Sequence, residues 1–143
     1  MSSFVERLNE CMKDEQINQF ALSEKTGIYH SCLSGFMSGK HLPSYDNFEK
    51  LLYFFNCSAD YMLGLIDYQH EEKLYEVMPF SKRFNQILKE KKISKEKFRK
   101  DNNISASVIY RWSIGKTKPS IENLIKMAEY FDCSVDYLIG RVR

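Results

Sequence analysis

No run of the sequence is long and apolar enough to cross a bilayer. The longest, Leu51-Leu52-Tyr53-Phe54-Phe55, covers about five residues where a span needs ~20. The opening Met1-Ser2-Ser3-Phe4-Val5-Glu6 lacks the basic-then-apolar order of a secretory leader, so a cytoplasmic location and no membrane partner are expected. Glycine and proline are scarce, at 6 and 3, which excludes collagen-like and low-complexity classes. No CxxC occurs, and His30, His41 and His70 are too scattered to add ligands, so no metal site is expected. Cys11, Cys32, Cys57 and Cys133 each stand where an apolar side chain would serve. They are read as buried, reduced packing residues, since a free thiol behaves as a small hydrophobe.

Catalytic signatures are missing as well. Gly115-Lys116-Thr117 has the ending of a phosphate-binding loop, but that motif needs glycine at 110, where Tyr110 stands. No nucleophile has a histidine close to it in sequence, and the carboxylates are dispersed. The chain is expected to be no enzyme and to need no cofactor.

What is present is a duplication. Residues 55–64 read FNCSADYMLG and residues 131–140 read FDCSVDYLIG. An ungapped shift of 76 pairs Phe4–Leu65 with Phe80–Arg141 and leaves 19 of 62 positions identical, which is too long a unit for a solenoid repeat. The reading is two domains, 1–65 and 80–143, joined by a linker, 66–79, that has no glycine and is no floppy tether.

The helical period recurs in register. Phe48, Leu51, Leu52 and Phe55 fall at i, i+3, i+4 and i+7, as do Leu124, Met127, Ala128 and Phe131. Ser44, Ser120, Ser58 and Ser134 are placed to cap helices, and Gly64 and Gly140 to end them. Asn18 can cap a helix carrying Leu22, and Gly27 permits a tight turn before a second helix with Leu33 and Phe36. The fold class is therefore all-α, with about five short helices per unit.

The helix-turn-helix spacing, the Gly-Lys-x-x-Pro-Ser segment and the Cys-Ser-x-Asp-Tyr-x-x-Gly ending, each written twice, resemble the phage-repressor (Cro-like) or xenobiotic-response-element family of helix-turn-helix transcriptional regulators. The resemblance implies two tandem lambda-repressor-like domains that bind double-stranded DNA, with the third helix of a unit entering the major groove. In the second unit it places Ser105, Ala106, Ser107, Tyr110 and Arg111 toward base edges, and Lys92, Lys95, Lys116, Thr117 and Lys118 toward phosphates. Trp112 corresponds to Phe36 and is expected in the core. In the first unit the same positions, Gln19, Tyr29, His30, Ser31, Ser34 and Lys40, form a second DNA surface or a partner surface. The units depart from the family pattern at different places. The first has Tyr29 in place of a capping serine and Gly35 inside the third helix. The second has Asn103 for Gly27, and has Arg99 where a small residue is usual, so that side chain must swing outward.

Charge separates the copies. Residues 80–143 hold 15 Lys/Arg against 7 Asp/Glu, a net of +8, whereas residues 1–66 carry 5 against 8. Duplex affinity comes largely from phosphate neutralisation, so the second unit is expected to grip DNA. The acidic first unit, with Tyr29, Met37 and Tyr53 expected at its surface, is read as a dimerisation or protein-partner domain. Together these readings give a sequence-specific regulator, acting as a repressor and as a homodimer. Two rivals remain open at this point: both units binding DNA as a single-chain pseudo-dimer, and an antitoxin-like or anti-repressor-like protein-interaction module that does not bind DNA.

Overall fold

The computed structural model describes residues 3–69 and 73–142. His70, Glu71 and Glu72 of the linker lie outside the described residues, so the reading of His70 and that part of the linker does too. The described residues contain ten helices and no strand, so the fold is all-α. None of these helices is long and apolar enough to cross a membrane. The chain divides into two compact units, Met1–Leu74 and Tyr75–Arg143.

Unit one runs α1 (Phe4–Asp14), α2 (Gln19–Thr26), α3 (His30–Met37), α4 (Tyr45–Phe55) and α5 (Ala59–Met62). Local chemistry sets these limits. Ser3, Asn18, Ser44 and Ser58 each accept a backbone N–H three residues on, which satisfies one of the orphan donors at a helix start. Gly27 ends α2 at φ +78°, the left-handed value that a side chain resists. The core forms where Phe4 meets Phe36 edge-on at 6.1 Å, above fully buried Leu8, Leu22, Leu33, Leu51 and Leu52. Met37, the last residue of α3 and next to buried Phe36, is half-buried, against the expectation of exposure.

Unit two repeats the order as α6 (Phe80–Lys91), α7 (Lys95–Asn102), α8 (Ala106–Ser113), α9 (Ile121–Phe131) and α10 (Val135–Leu138). Ser94, Ser105, Ser120 and Ser134 cap the last four. Asn103 takes the place of Gly27 at φ +54° and supports the same turn. Trp112 is buried, edge-on to Phe80 and Phe84 at 5.9 and 6.0 Å, and Phe98 stacks on Phe131 at 5.3 Å. Trp112 thus acts as core, and it fixes α8 against α6.

The repeated Arg and Tyr letters share one task. In unit one the Arg7 guanidinium lies 4.1 Å from the centre of the Tyr61 ring and donates to the Ile66 carbonyl at 2.9 Å. In unit two Arg83 lies 4.6 Å from the Tyr137 ring centre and donates twice to the Tyr137 carbonyl, at 2.7 and 3.0 Å. Each arginine is nearly buried and ties the first helix of its unit to the last turn. The charge is tolerated there because carbonyls and a π face replace water.

Residues flanking the division belong to the unit beside them. Asp67 meets Arg7 at 3.2 Å. Tyr75 donates its N–H to the Arg141 carbonyl at 2.8 Å, Met78 donates to the Ile139 carbonyl at 3.0 Å, and the Arg141 guanidinium donates back to the Tyr75 carbonyl at 3.1 Å. This extended strap runs along the end of unit two, and Met78 packs on the face of Gly140.

Candidate nucleic-acid interface

In unit two the surface begins at the turn between α7 and α8. Ser105 caps α8 by accepting the Val108 N–H, and its hydroxyl also lies 3.3 Å from that of Ser107. Ala106 and Ser107 are exposed in the first turn of α8, and Tyr110, one turn on, is 63% exposed. Arg111 is half-buried, and its carbonyl accepts the N–H groups of Lys116 and Thr117, which folds the following loop back onto α8. Lys116, Thr117 and Lys118 are all exposed in that loop. Lys92 caps the C-terminus of α6 in the left-handed region, and Lys95 is the first residue of α7.

Ion pairing sorts the cations of α7. Arg99 swings outward and grips Glu96 at 2.6 Å, Lys100 approaches Glu96 at 3.6 Å, and Lys97 meets Asp101 at 3.0 Å. Arg99 thereby holds the Glu96 carboxyl below the usual range. Tyr130 donates to Asp101 at 2.6 Å, which, ahead of Lys97, holds that carboxyl below the usual range and pushes the phenol up to about 12. The cations of α7 away from its start are therefore spent locally. Among the described residues no carboxylate pairs with Lys92, Lys95, Arg111 or Lys116. Unneutralised charge lies at the start of α7, along α8 and in the loop after it, and Lys82, Lys89 and Lys91 of α6 and Lys126 of α9 likewise have no carboxylate partner among the described residues.

The same positions of unit one carry other chemistry. Tyr29 precedes α3 without a side-chain cap and is 78% exposed. Gln19 spends its amide on the Ser34 hydroxyl at 2.8 Å, and Ser38 spends its hydroxyl on the Gly35 carbonyl. His30 lies against the Phe20 ring at 5.5 Å, while Ser31 and Lys40 are exposed. Gly35 is buried because the His41 ring fills the space where a side chain would stand. In the second unit Arg111 occupies this position.

Two residues join these surfaces that sequence reasoning missed. Ile114, 54% exposed, follows α8 and continues the outward line of Tyr110; its spacing of four from Tyr110 was the available signal. Phe20, 62% exposed, adds an aromatic face to unit one, and its signal was an apolar residue aligned with Glu96 of the second copy.

A cavity of about 440 Å³ also lies in unit two, lined by Met78, Lys82, Arg83, Gln86, Tyr137 and Gly140. The Arg83 guanidinium within it already serves the Tyr137 carbonyl and Gln86, a structural use. No group of His, Cys, Asp and Glu among the described residues is arranged to hold a metal ion.

No curated protein and no solved structure matches the chain. Residues 85–138, wholly inside unit two and spanning α7, α8 and the loop after it, match the helix-turn-helix family model, so this unit carries a helix-turn-helix domain of the kind that DNA-binding regulators use.

Proposed function

We propose that the chain is a sequence-specific, double-stranded-DNA-binding transcriptional repressor whose second unit reads the major groove with α8. Ser105, Ala106, Ser107, Tyr110 and Arg111 face base edges, with Ile114 extending the line. Arg111 is suited to fork onto guanine O6 and N7, and Ala106 and Ile114 to meet thymine methyls. Lys92, Lys95, Lys116, Thr117 and Lys118 hold the phosphates on either side. The observation that supports this most is the distribution of charge: residues 80–143 carry a net +8, and within α7 Lys97, Arg99 and Lys100 are ion-paired, whereas Lys95 at its start, and Lys92, Arg111 and Lys116 beside it, have no carboxylate partner among the described residues and are left to a polyanion.

The first unit, residues 1–65, serves dimerisation or a protein partner in this reading. Its acidic balance opposes a duplex, and Phe20 and Tyr29 present apolar area where the second unit has Glu96 and Ser105. Two chains joined through it bring two basic units to two half-sites of a cytoplasmic target. Selection of bound sequences from a random duplex pool with the full chain tests the proposal. The expected result is enrichment of a short paired motif; a pool with no enrichment at low salt refutes it, and a single site of two unlike halves reassigns unit one to DNA.

A further inference from the structure

The cavity of unit two is walled by Lys82, Arg83 and Gln86 of α6, by Tyr137 of α10 with Gly140 just after it, and by Met78 of the strap. It uses another side of α6 from the one that α8 covers, where the Asn85 amide reaches the Ser113 carbonyl and Ser81 lies against Gly115. Its polar groups are incompletely used. A guanidinium carries five N–H donors, and Arg83, only 9% exposed, gives two to the Tyr137 carbonyl and one to Gln86 at 3.3 Å. Two N–H groups are left with no acceptor among the described residues. Lys82 has no carboxylate partner among them either, and Glu90, one turn on from Gln86, accepts the Tyr137 phenol. A buried cation with unspent donors is costly until an anion completes it.

The duplicate shows what completes this arginine. In unit one Arg7 takes the same place over the Tyr61 ring, and its Nη2 donates to the Asp67 carboxylate at 3.2 Å as well as to the Ile66 carbonyl. The shift of 76 puts Arg143 at the letter of Asp67, Lys82 at that of Glu6 and Gln86 at that of Glu10. Acidic letters around the shared arginine thus become two cations and an amide. Unit two keeps the arginine and the ring, loses the carboxylate supplied by the chain, and has a cavity beside the guanidinium.

We propose that this cavity is a binding site for a small organic dicarboxylate. One carboxylate takes the part that Asp67 plays in unit one and accepts the unspent Arg83 N–H groups. The planar fork of a guanidinium suits a carboxylate for this. The second carboxylate accepts the Lys82 ammonium, so two negative charges answer two cations. The short chain between them lies along Met78 and the bare backbone of Gly140, and the Gln86 amide donates to the oxygen nearest it. The volume of about 440 Å³ falls within the range of small-molecule sites.

The test is an NMR titration of the isotope-labelled full chain with sodium succinate, in about 150 mM sodium chloride to screen loose attraction to the basic surface. The expected result is saturable shifts of the Met78, Lys82, Gln86 and Gly140 amides and of the Arg83 Nε–H, with weaker binding of acetate and of inorganic phosphate. Lys82→Glu and Gln86→Glu install the first unit's residues at two exposed positions. Each is expected to weaken succinate binding ~10-fold or more, because like charges then face each other. Lys126→Glu, the same change of charge on exposed α9 surface, is expected to leave it unaltered. Four results each overturn the proposal: no saturable shift, shifts centred on Lys92, Lys95 or Lys116, equal weakening by Lys126→Glu, or acetate or phosphate binding as tightly as succinate. The wild-type titration decides the matter even if a variant misfolds, and it does not depend on DNA binding.

Discussion

Replacing Lys116 with alanine removes one cation from the loop after α8 and leaves the core of unit two untouched, since the side chain is exposed and carries no carboxylate partner among the described residues. If Lys92, Lys95, Lys116 and Lys118 each neutralise one phosphate, log K falls with log salt at a slope of about −3.6, taking ~0.9 per phosphate. Raising salt from about 50 to about 200 mM then weakens the parent roughly 150-fold and Lys116→Ala roughly 40-fold, at a slope of about −2.7. Lys97→Ala is the control. Its ammonium is committed to Asp101 at 3.0 Å, so its removal is expected to leave the slope unchanged. Fluorescence anisotropy of a labelled duplex, titrated at four or more salt concentrations, gives both slopes. Equal flattening by Lys97→Ala and Lys116→Ala would mean that ion pairing does not sort the cations, and the argument from charge distribution fails.

Other expectations follow from single contacts. Arg111→Ala is expected to cost ~1–3 kcal/mol of specific binding and to relax preference at one base pair in a repeated pool selection. Ile114→Ser is expected to make binding indifferent to replacing one thymine of the site by deoxyuridine, a change that weakens the parent. Gly140→Ala must hold a Cβ at φ +85° and 2.7 Å from Met78, so urea unfolding is expected to show a loss of ~1–2 kcal/mol or more. Adding Met78→Ala relieves the clash and leaves the backbone strain. Tyr130→Phe is expected to raise the Asp101 pKa toward the ordinary carboxylate value in an NMR titration, since the phenol hydroxyl is the largest cause of its depression, ahead of Lys97. The Tyr130–Asp101 bond contributes fully above the unfolded carboxylate pKa of about 4 and is lost as pH falls through the lower folded value. At the alkaline end it persists past the unfolded phenol value and is lost as pH rises through about 12.

Features governed by neighbours in sequence were legible in advance. Asn18, Ser44, Ser58, Ser120 and Ser134 cap their helices because a cap needs only a side-chain oxygen three residues before an amide. Asn103 could replace Gly27 because the turn tests one φ angle. Trp112 was readable as core from its register with Phe36. Contacts across long separations were not legible. The identity of Arg7 with Arg83 was plain, but its reason, a tyrosine ring and a carbonyl more than fifty residues away, appears only when the helices close. Cys32 and Cys133 proved half-buried rather than buried, because periodicity reports the face of a helix and not how completely a neighbour covers it.

The strap before α6 has a practical consequence for anyone isolating the basic half. A fragment that starts at Pro79 discards the Tyr75 and Met78 amides and exposes the carbonyls of Ile139 and Arg141, which those amides occupy. It also uncovers the Gly140 backbone that Met78 shields. The natural cut lies upstream of Tyr75, and a shorter piece that aggregates or melts early would report a missing edge rather than a unit unable to stand alone.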